Sequence, residues 1–235
     1  MLLGLIVATG LLTPILILIS FVTSSGPLLA IERAWAWIVA KSMRLTFSCE
    51  GMEKVVPGKS YIVAPNHQSN ADILALLVVL PMKFRWVVKR ELLIIPLFGW
   101  ALARTGAVAL NRKDRSQSIS RLQEAAGSKF EGGWSVLIYP EGTRSPDGNL
   151  QEFKKGAFMM SVQSGIPILP VICNGAFKVL PKKTIFVRPG HVSVTIGDPI
   201  DTAGLTVDDI PQLMDKTREA MLKHFDPDYD PFKRS

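Results

Sequence analysis

After residue 45 the chain alternates between apolar runs of strand length and stretches with helical periodicity, with no internal repeat and no long linker. The strand-like runs are Leu45–Cys49, Tyr61–Ala64, Phe84–Val88, Ala107–Leu110, Val136–Tyr139, Ile168–Ile172, Ile185–Val187 and Val192–Ile196. The helical patterns fall at 71–80, 96–104, 116–131, 155–164 and 207–224. Near-continuous apolar strands separated by helices need cover on both sheet faces, so the expected class is α/β: a mostly parallel sheet flanked by helices. At 235 residues the chain is long enough for a domain with a sizeable core.

The N-terminus constrains the setting. Residues 1–31 carry no charged side chain, a longer run than the roughly 18 residues that suggest a membrane helix. A cleaved signal peptide fits less well, because the run lacks a charged leader and a clear small-residue cleavage site. Gly10 and Pro14 interrupt it, so a kinked or re-entrant helix stands beside a straight span. Beyond Gly26-Pro27, Leu28, Ile31, Trp35 and Ile38 share one helical face, with Arg33, Lys41 and Arg44 opposite. That is the layout of an amphipathic helix lying in a bilayer interface, although packing of 28–45 on the domain would give a similar pattern. The expected organisation is therefore an N-terminal membrane-associated segment, with embedded and interfacial helices at 1–45, ahead of a catalytic domain at 46–235. Basic residues after the apolar run place that domain on the cytoplasmic face of the inner membrane.

A net charge of +7 suits an anionic membrane, an acidic partner or a nucleic acid. Nucleic acid is disfavoured, since no recognition module appears and the charge is spread out. Cys49 and Cys173 form neither a metal spacing nor a disulfide framework, which points to a reducing compartment. The three histidines and scattered acids make no metal set, so no metal or other cofactor is expected.

Two loops carry the chemistry. Asn66-His67-Gln68-Ser69-Asn70-Ala71-Asp72 follows the second strand-like run, and Tyr139-Pro140-Glu141-Gly142-Thr143-Arg144-Ser145 follows the fifth. In an open α/β sheet, ligand sites collect where strands end. Along a regular helix, five steps of roughly 100° would turn His67 and Asp72 about 140° apart. The spacing works if His67 lies in the loop, Ser69 or Asn70 caps the helix, and Asp72 sits in its first turn. Its carboxylate then reaches back to one imidazole nitrogen, leaving the other to take a proton from a hydroxyl. For an isolated pair, a helix-start acid beside a satisfied loop histidine is the better account. The second loop, with its acid and its fixed positive charge, shifts the balance toward chemistry on a hydroxyl carried by an anionic molecule.

Asn66-His67 and Asp72, taken with Pro140-Glu141-Gly142-Thr143-Arg144, resemble the glycerolipid acyltransferase family, above all the 1-acylglycerol-3-phosphate (lysophosphatidic acid) acyltransferases. Two more blocks continue the resemblance in order. Val88-Lys89-Arg90-Glu91-Leu92 with Pro96, Gly99, Gly106 and Asn111-Arg112 is similar to the family's second motif, and Ile166-Pro167-Ile168-Leu169-Pro170-Val171 to its fourth. The resemblance covers residues 60–172, and it implies an acyl transfer from a thioester to an alcohol within a ternary complex. The residues agree: there is no Gly-x-Ser-x-Gly elbow and neither cysteine has a neighbouring histidine, so Ser69 and Cys173 are poor candidates for a covalent nucleophile.

On this reading His67 is the general base and Asp72 fixes its tautomer and steadies the imidazolium. Arg112 and Arg144 suit an acceptor phosphate, because a guanidinium offers a two-pronged fork. Lys89, Arg90 and Lys155 are second-rank phosphate contacts. Glu141 is expected to pair with an arginine and hold its fork, with direct acid–base work as the alternative. Gly142 permits a turn or close substrate approach, and Thr143 stands on its motif position alone. The run 153–158 opens a helix and suits either a phosphate or carrier contact or a solvated turn. Lys182-Lys183 reads as surface charge, and His191 and His224 as structural or exposed. The stretch 92–100 is apolar almost all round, which fits an acyl groove, a dip into the bilayer or a buried core helix.

The expected reaction passes a fatty acyl group from acyl-CoA or acyl-carrier protein to the free hydroxyl of 1-acylglycerol 3-phosphate, giving phosphatidate. The partners are then a lysophospholipid acceptor, that donor and the membrane bilayer. Rivals are the same chemistry on a lyso-ornithine lipid or another lysophospholipid, a hydrolase that passes acyl groups to water, and a non-catalytic protein that binds anionic membranes.

Overall fold

The computed structural model describes the chain except residues 1, 22–24, 97, 112–116, 118–119, 123, 125–129, 185 and 234–235. Seven strands form one sheet: β1 (Leu45–Glu50), β2 (Ile62–Pro65), β3 (Phe84–Lys89), β4 (Val108–Leu110), β5 (Ser135–Leu137), β6 (Ile168–Asn174) and β7 (Gly190–Ile196). Their spatial order is β1-β7-β6-β2-β5-β3-β4, and every neighbouring pair is parallel except β6 with β7. The mostly parallel sheet with helices on both faces is the expected class.

Central β2 shows why its sequence is apolar throughout. Tyr61 and Val63 enter one cluster with Ala36, Val39 and Leu74, whereas Ile62 and Ala64 enter another with Phe158, Met160 and Ile210. Successive side chains point to opposite faces, and here both faces are core. The first cluster lies under α2 (Ser25–Ser42) and α3 (Ala71–Val79). The second lies under helices that follow α4 (Phe98–Arg104): α5 (Gly156–Ser164) and, past the short α6 (Ala176–Val179), α7 (Ile210–Leu222). The expected pattern at 207–224 opens as a 3₁₀ turn closed by a Thr206–Asp209 capping box, and proline at the helix start serves α7, where no N–H is needed.

The strand expected at Ile185–Val187 does not form. Phe186 and Val187 join no ladder, and residue 185 lies outside the described residues. Both edges of β7 are already taken by β1 and β6, so this run cannot form a hairpin with the strand that follows it; instead Arg188 N–H bonds Val179 O at 2.8 Å. Of the readings open for the stretch 92–100, the buried core helix is the one the structure removes. A 3₁₀ segment over Arg90–Ile94 precedes α4, and Ile94 and Trp100 are 80% and 57% exposed. The helix expected at 116–131 is seen at Gln117, Ser120, Arg121, Leu122 and Glu124, the rest falling largely outside the described residues.

α1 (Leu2–Ile19) packs against α2 and α4, and α2 packs against α3. At 18 residues α1 is about 27 Å long, short of a hydrocarbon core of roughly 30 Å. Among the described residues no helix is long and apolar enough to cross a membrane. Arg33, expected on a solvated basic face, is instead turned into the domain. Its Nη2 donates to Leu80 O at 2.6 Å and Met82 O at 2.8 Å, supplying donors to carbonyls at the C-terminal end of α3 that the helix cannot satisfy itself. So α2 does pack on the domain through Ala36, Val39 and Ala40, while Trp37 and Ile38 remain exposed.

Candidate active site

β2 and β5 are parallel neighbours, so the loops after them leave from the same end of the sheet. The chain then passes from β2 to α3 on one face and from β5 to α5 on the other. Such a divergence opens a crevice at the strand ends, the usual seat of a ligand in this architecture. The two motif loops meet there.

The His67 peptide is held from both sides by the second loop. Its N–H donates to Glu141 Oε1 at 2.7 Å, and its carbonyl accepts from Ser145 N–H at 2.7 Å. Asn66 anchors the residue before it: its Nδ2 donates to Cys173 O at 3.0 Å and its Oδ1 accepts from Cys173 N–H at 2.7 Å. One side-chain amide thereby satisfies both main-chain groups of a β6 residue, and the loop cannot slide along the sheet end.

Asp72 is fully buried and its Oδ2 collects three donors: His67 Nδ1 at 3.0 Å, Gln68 N–H at 2.8 Å and Ser69 N–H at 2.8 Å. The expected reach from the first helical turn back to the imidazole is what the geometry shows. Asn70 precedes the helix but makes no side-chain cap; Ser69 Oγ accepts from Ala71 N–H at 3.0 Å instead. With Nδ1 engaged by a carboxylate, the tautomer leaves Nε2 as the acceptor, and among the described residues Nε2 makes no hydrogen bond. The His67 side chain is 14% exposed, enough to meet a substrate from one side.

Glu141 does not hold an arginine fork. Both its carboxylate oxygens take main-chain donors, His67 N–H and, at 3.2 Å, Gln151 N–H. It is a buried brace between the two loops. Burial pushes its carboxyl up to about 7, against the pull of those two amides and of the Arg218 charge. Arg218 of α7 clamps the far end of the same loop, donating to Gln151 O at 2.8 Å and Leu150 O at 3.1 Å.

Gly142 lies at φ 70°, in the left-handed region that the turn closed by Gly142 N–H to Tyr139 O requires. Thr143 is exposed, and Arg144 is half-buried directly before the Ser145 amide that bonds His67. The Arg144 guanidinium pairs with no carboxylate among the described residues, so its fork is available to an anion. Lys182, read from sequence as surface charge, donates to Arg144 O at 2.7 Å and brings a second cation to that corner. Lys89 is exposed at the end of β3, which runs parallel to β5 and ends on the same side of the sheet. Lys155 is exposed at the start of α5. Arg112 lies outside the described residues.

Sequence reasoning passed over Tyr139. Its ring stacks on the His67 imidazole with centroids 3.7 Å apart and planes 13° apart. Position was the available signal: Tyr139 ends the strand-like run that leads into the second loop. It also passed over Asn66 as an anchor, although asparagine beside a loop histidine offers both a donor and an acceptor.

A family model described as acyltransferase matches residues 46–174. The chain is 36% identical to the mouse 1-acyl-sn-glycerol-3-phosphate acyltransferase alpha over 74% of its own length and 62% of that protein's. It is 36% identical to the 1-acyl-sn-glycerol-3-phosphate acyltransferase of Saccharomyces cerevisiae, over 72% of this chain and 57% of that one. The chain thus spans about three fifths of the length of these relatives. A solved structure, that of the 1-acyl-sn-glycerophosphate acyltransferase PlsC from Thermotoga maritima, superposes with a TM-score of 0.66 at 25% identity, covering 89% of this chain and 86% of that one.

Proposed function

The chain belongs to the acyltransferase family, and from that premise we propose that it transfers a fatty acyl group from an acyl thioester to the free hydroxyl of 1-acylglycerol 3-phosphate, giving phosphatidate. The observation that carries this reading is the His67–Asp72 pair, its Nε2 without a hydrogen bond among the described residues, joined through Ser145 N–H to the loop that bears Arg144, whose guanidinium pairs with no carboxylate among the described residues. The acceptor hydroxyl loses its proton to Nε2 as its oxygen attacks the thioester carbonyl. Asp72 holds Nδ1–H and balances the imidazolium so formed. The tetrahedral oxyanion collapses, the C–S bond breaks, and the proton on Nε2 passes to the departing thiolate. Arg144 takes the acceptor phosphate, with Lys182 beside it and Arg112, Lys89 and Lys155 as further cations for an anionic headgroup or carrier. The thioester is carried by coenzyme A or by acyl-carrier protein.

We place the protein on the cytoplasmic face of the inner membrane. Leu11, Ile15, Leu18 and Phe21 of the α1 region, Trp37 and Ile38 of α2, and Ile94, Ile95 and Trp100 around α4 are all exposed. Large apolar side chains on adjoining helices, with tryptophans among them, suit a surface that rests in a bilayer. Acceptor and product are both lipids, and such docking brings them to the crevice without passage through water.

The test supplies a labelled acyl thioester with 1-acylglycerol 3-phosphate, and separately with a phosphate-free lyso-acceptor, to wild type and His67→Ala in vesicles. Phosphatidate from the wild type alone is the expected outcome, with a loss of about 10²–10⁴ in the variant. Transfer only to the phosphate-free acceptor would discard the Arg144 clamp, and undiminished transfer by His67→Ala would discard the base.

A further inference from the structure

We infer that Tyr139 is a positioning residue whose ring favours His67 in its protonated state, so that the stack strengthens as the base takes its proton; this rests on the assignment of His67 as base. The centroid separation of 3.7 Å and the 13° interplanar angle lay the imidazole face over the phenol face, within about 1.5 Å of eclipse for planes at van der Waals contact. Between two neutral π-systems such a stack is worth little beyond the area it buries. An imidazolium in the same place is attracted to the phenol face. The contact is thus modest with a neutral imidazole and stronger with one that has accepted a proton. An interaction that is stronger in the transition state than in the ground state accelerates the chemical step.

The surroundings keep the ring where it is. Trp86, itself buried, lies with its ring centroid 6.4 Å from that of Tyr139 and its plane 24° away, and Phe84 packs edge-on to Trp86 at 5.2 Å. From the other direction Asp72 fixes the in-plane rotation of the imidazole through Nδ1, while the phenol face fixes its tilt. The Tyr139 hydroxyl is buried and has no hydrogen-bond partner among the described residues. The residue is therefore held by its ring and not by its oxygen, which makes Phe the conservative replacement.

The test replaces Tyr139 with Phe, Leu, and mono-, di- and trifluorophenylalanine, shapes that differ little from Phe while the ring face loses its negative potential stepwise. Acyl transfer is measured for each, with His67→Ala alongside. Tyr139→Phe should keep kcat within about threefold, and Tyr139→Leu should lose roughly thirtyfold with the acceptor KM unchanged. Along the fluorinated series kcat should fall progressively, by about tenfold overall, again at constant KM. A ring that only fills space would give one rate across the fluorinated series, and that flat result overturns the inference. So does a Tyr139→Phe variant as slow as Tyr139→Leu, which would assign the effect to the hydroxyl. Full activity in His67→Ala would instead overturn the base assignment and the stack with it, whereas an inactive His67→Ala with a flat series sinks the stack alone.

Discussion

Glu141→Gln should flatten the fall of stability as pH rises from 4.5 to 7. Burial raises the Glu141 carboxyl from 4.5 to about 7. In that window the folded chain keeps a proton that the unfolded chain releases, so each step up in pH favours unfolding. The stability conferred by the neutral carboxyl is whole below pH 4.5 and lost by about pH 7. A shift of that size is worth about 3 kcal/mol, at roughly 1.4 kcal/mol per unit. Glutamine stays neutral throughout and has no such window. Its carbonyl can still accept His67 N–H, but its NH₂ would face Gln151 N–H and leave that amide unpaired, at a cost of about 1–3 kcal/mol that does not vary with pH. The informative quantity is therefore the difference in slope. Urea unfolding of both proteins every half unit from pH 4.5 to 8 gives it directly. Glu32, which burial also raises to about 7, acts alike in both proteins and drops out of the difference. Asp147, held low near 2 by Asn149, titrates below the window. Parallel profiles would show that the two amide bonds already keep Glu141 ionised at pH 4.5, and that desolvation is not the dominant influence on this brace.

Asp72→Asn keeps the shape but sets an amide against a ring N–H and two main-chain N–H groups; acyl transfer assays should show kcat down by roughly 10³–10⁴ with little change in KM. Asn66→Ala strips the buried Cys173 N–H and C=O of the side chain that serves both, and chemical denaturation should register a loss of about 3 kcal/mol. Trp100→Glu should weaken co-sedimentation with anionic vesicles by tenfold or more, an estimate from the roughly 1.5–3 kcal/mol of burying a large apolar side chain, while circular dichroism stays unchanged because the residue is exposed.

The elements whose apolar runs are satisfied locally were legible. β2 and β5 read as strands because both of their faces meet core, and α3 follows the helix-start signals around Asp72. The 3.0 Å approach of His67 and Asp72 was legible too, since a five-residue offset admits a loop followed by a first turn. Partner choice was not. Nothing in the run Ile185–Val187 reveals that β7 already has a strand on each edge, and nothing in β1 shows that it will pair with a strand some 145 residues later. Arg33 misled for a related reason: helical periodicity reports which face a residue occupies, not that unsatisfied carbonyls at the end of α3 wait there. Glu141 was placed near charge because carboxylates pair with arginines, yet the stronger demand came from two buried main-chain amides. Tyr139 stacks across loops 72 positions apart, a contact without any local signature.

The placement of β5 between β2 and β3 sets an order of events during folding. β2 and β3 come early in the chain, yet they do not pair with each other: β3 finds β4 on its outer edge, but the edges that β2 and β3 turn toward the middle wait for a strand that appears about 50 residues after β3. Closing so large a loop is a slow, entropically costly step, and a chain still emerging from the ribosome spends that time with two unpaired strand edges. His67 is assembled by the same event, because the residues that grip its peptide, Glu141 and Ser145, arrive only behind β5. The grip on His67 is thus complete only after the centre of the sheet is, and a partly folded chain lacks the arrangement on which the proposed transfer depends.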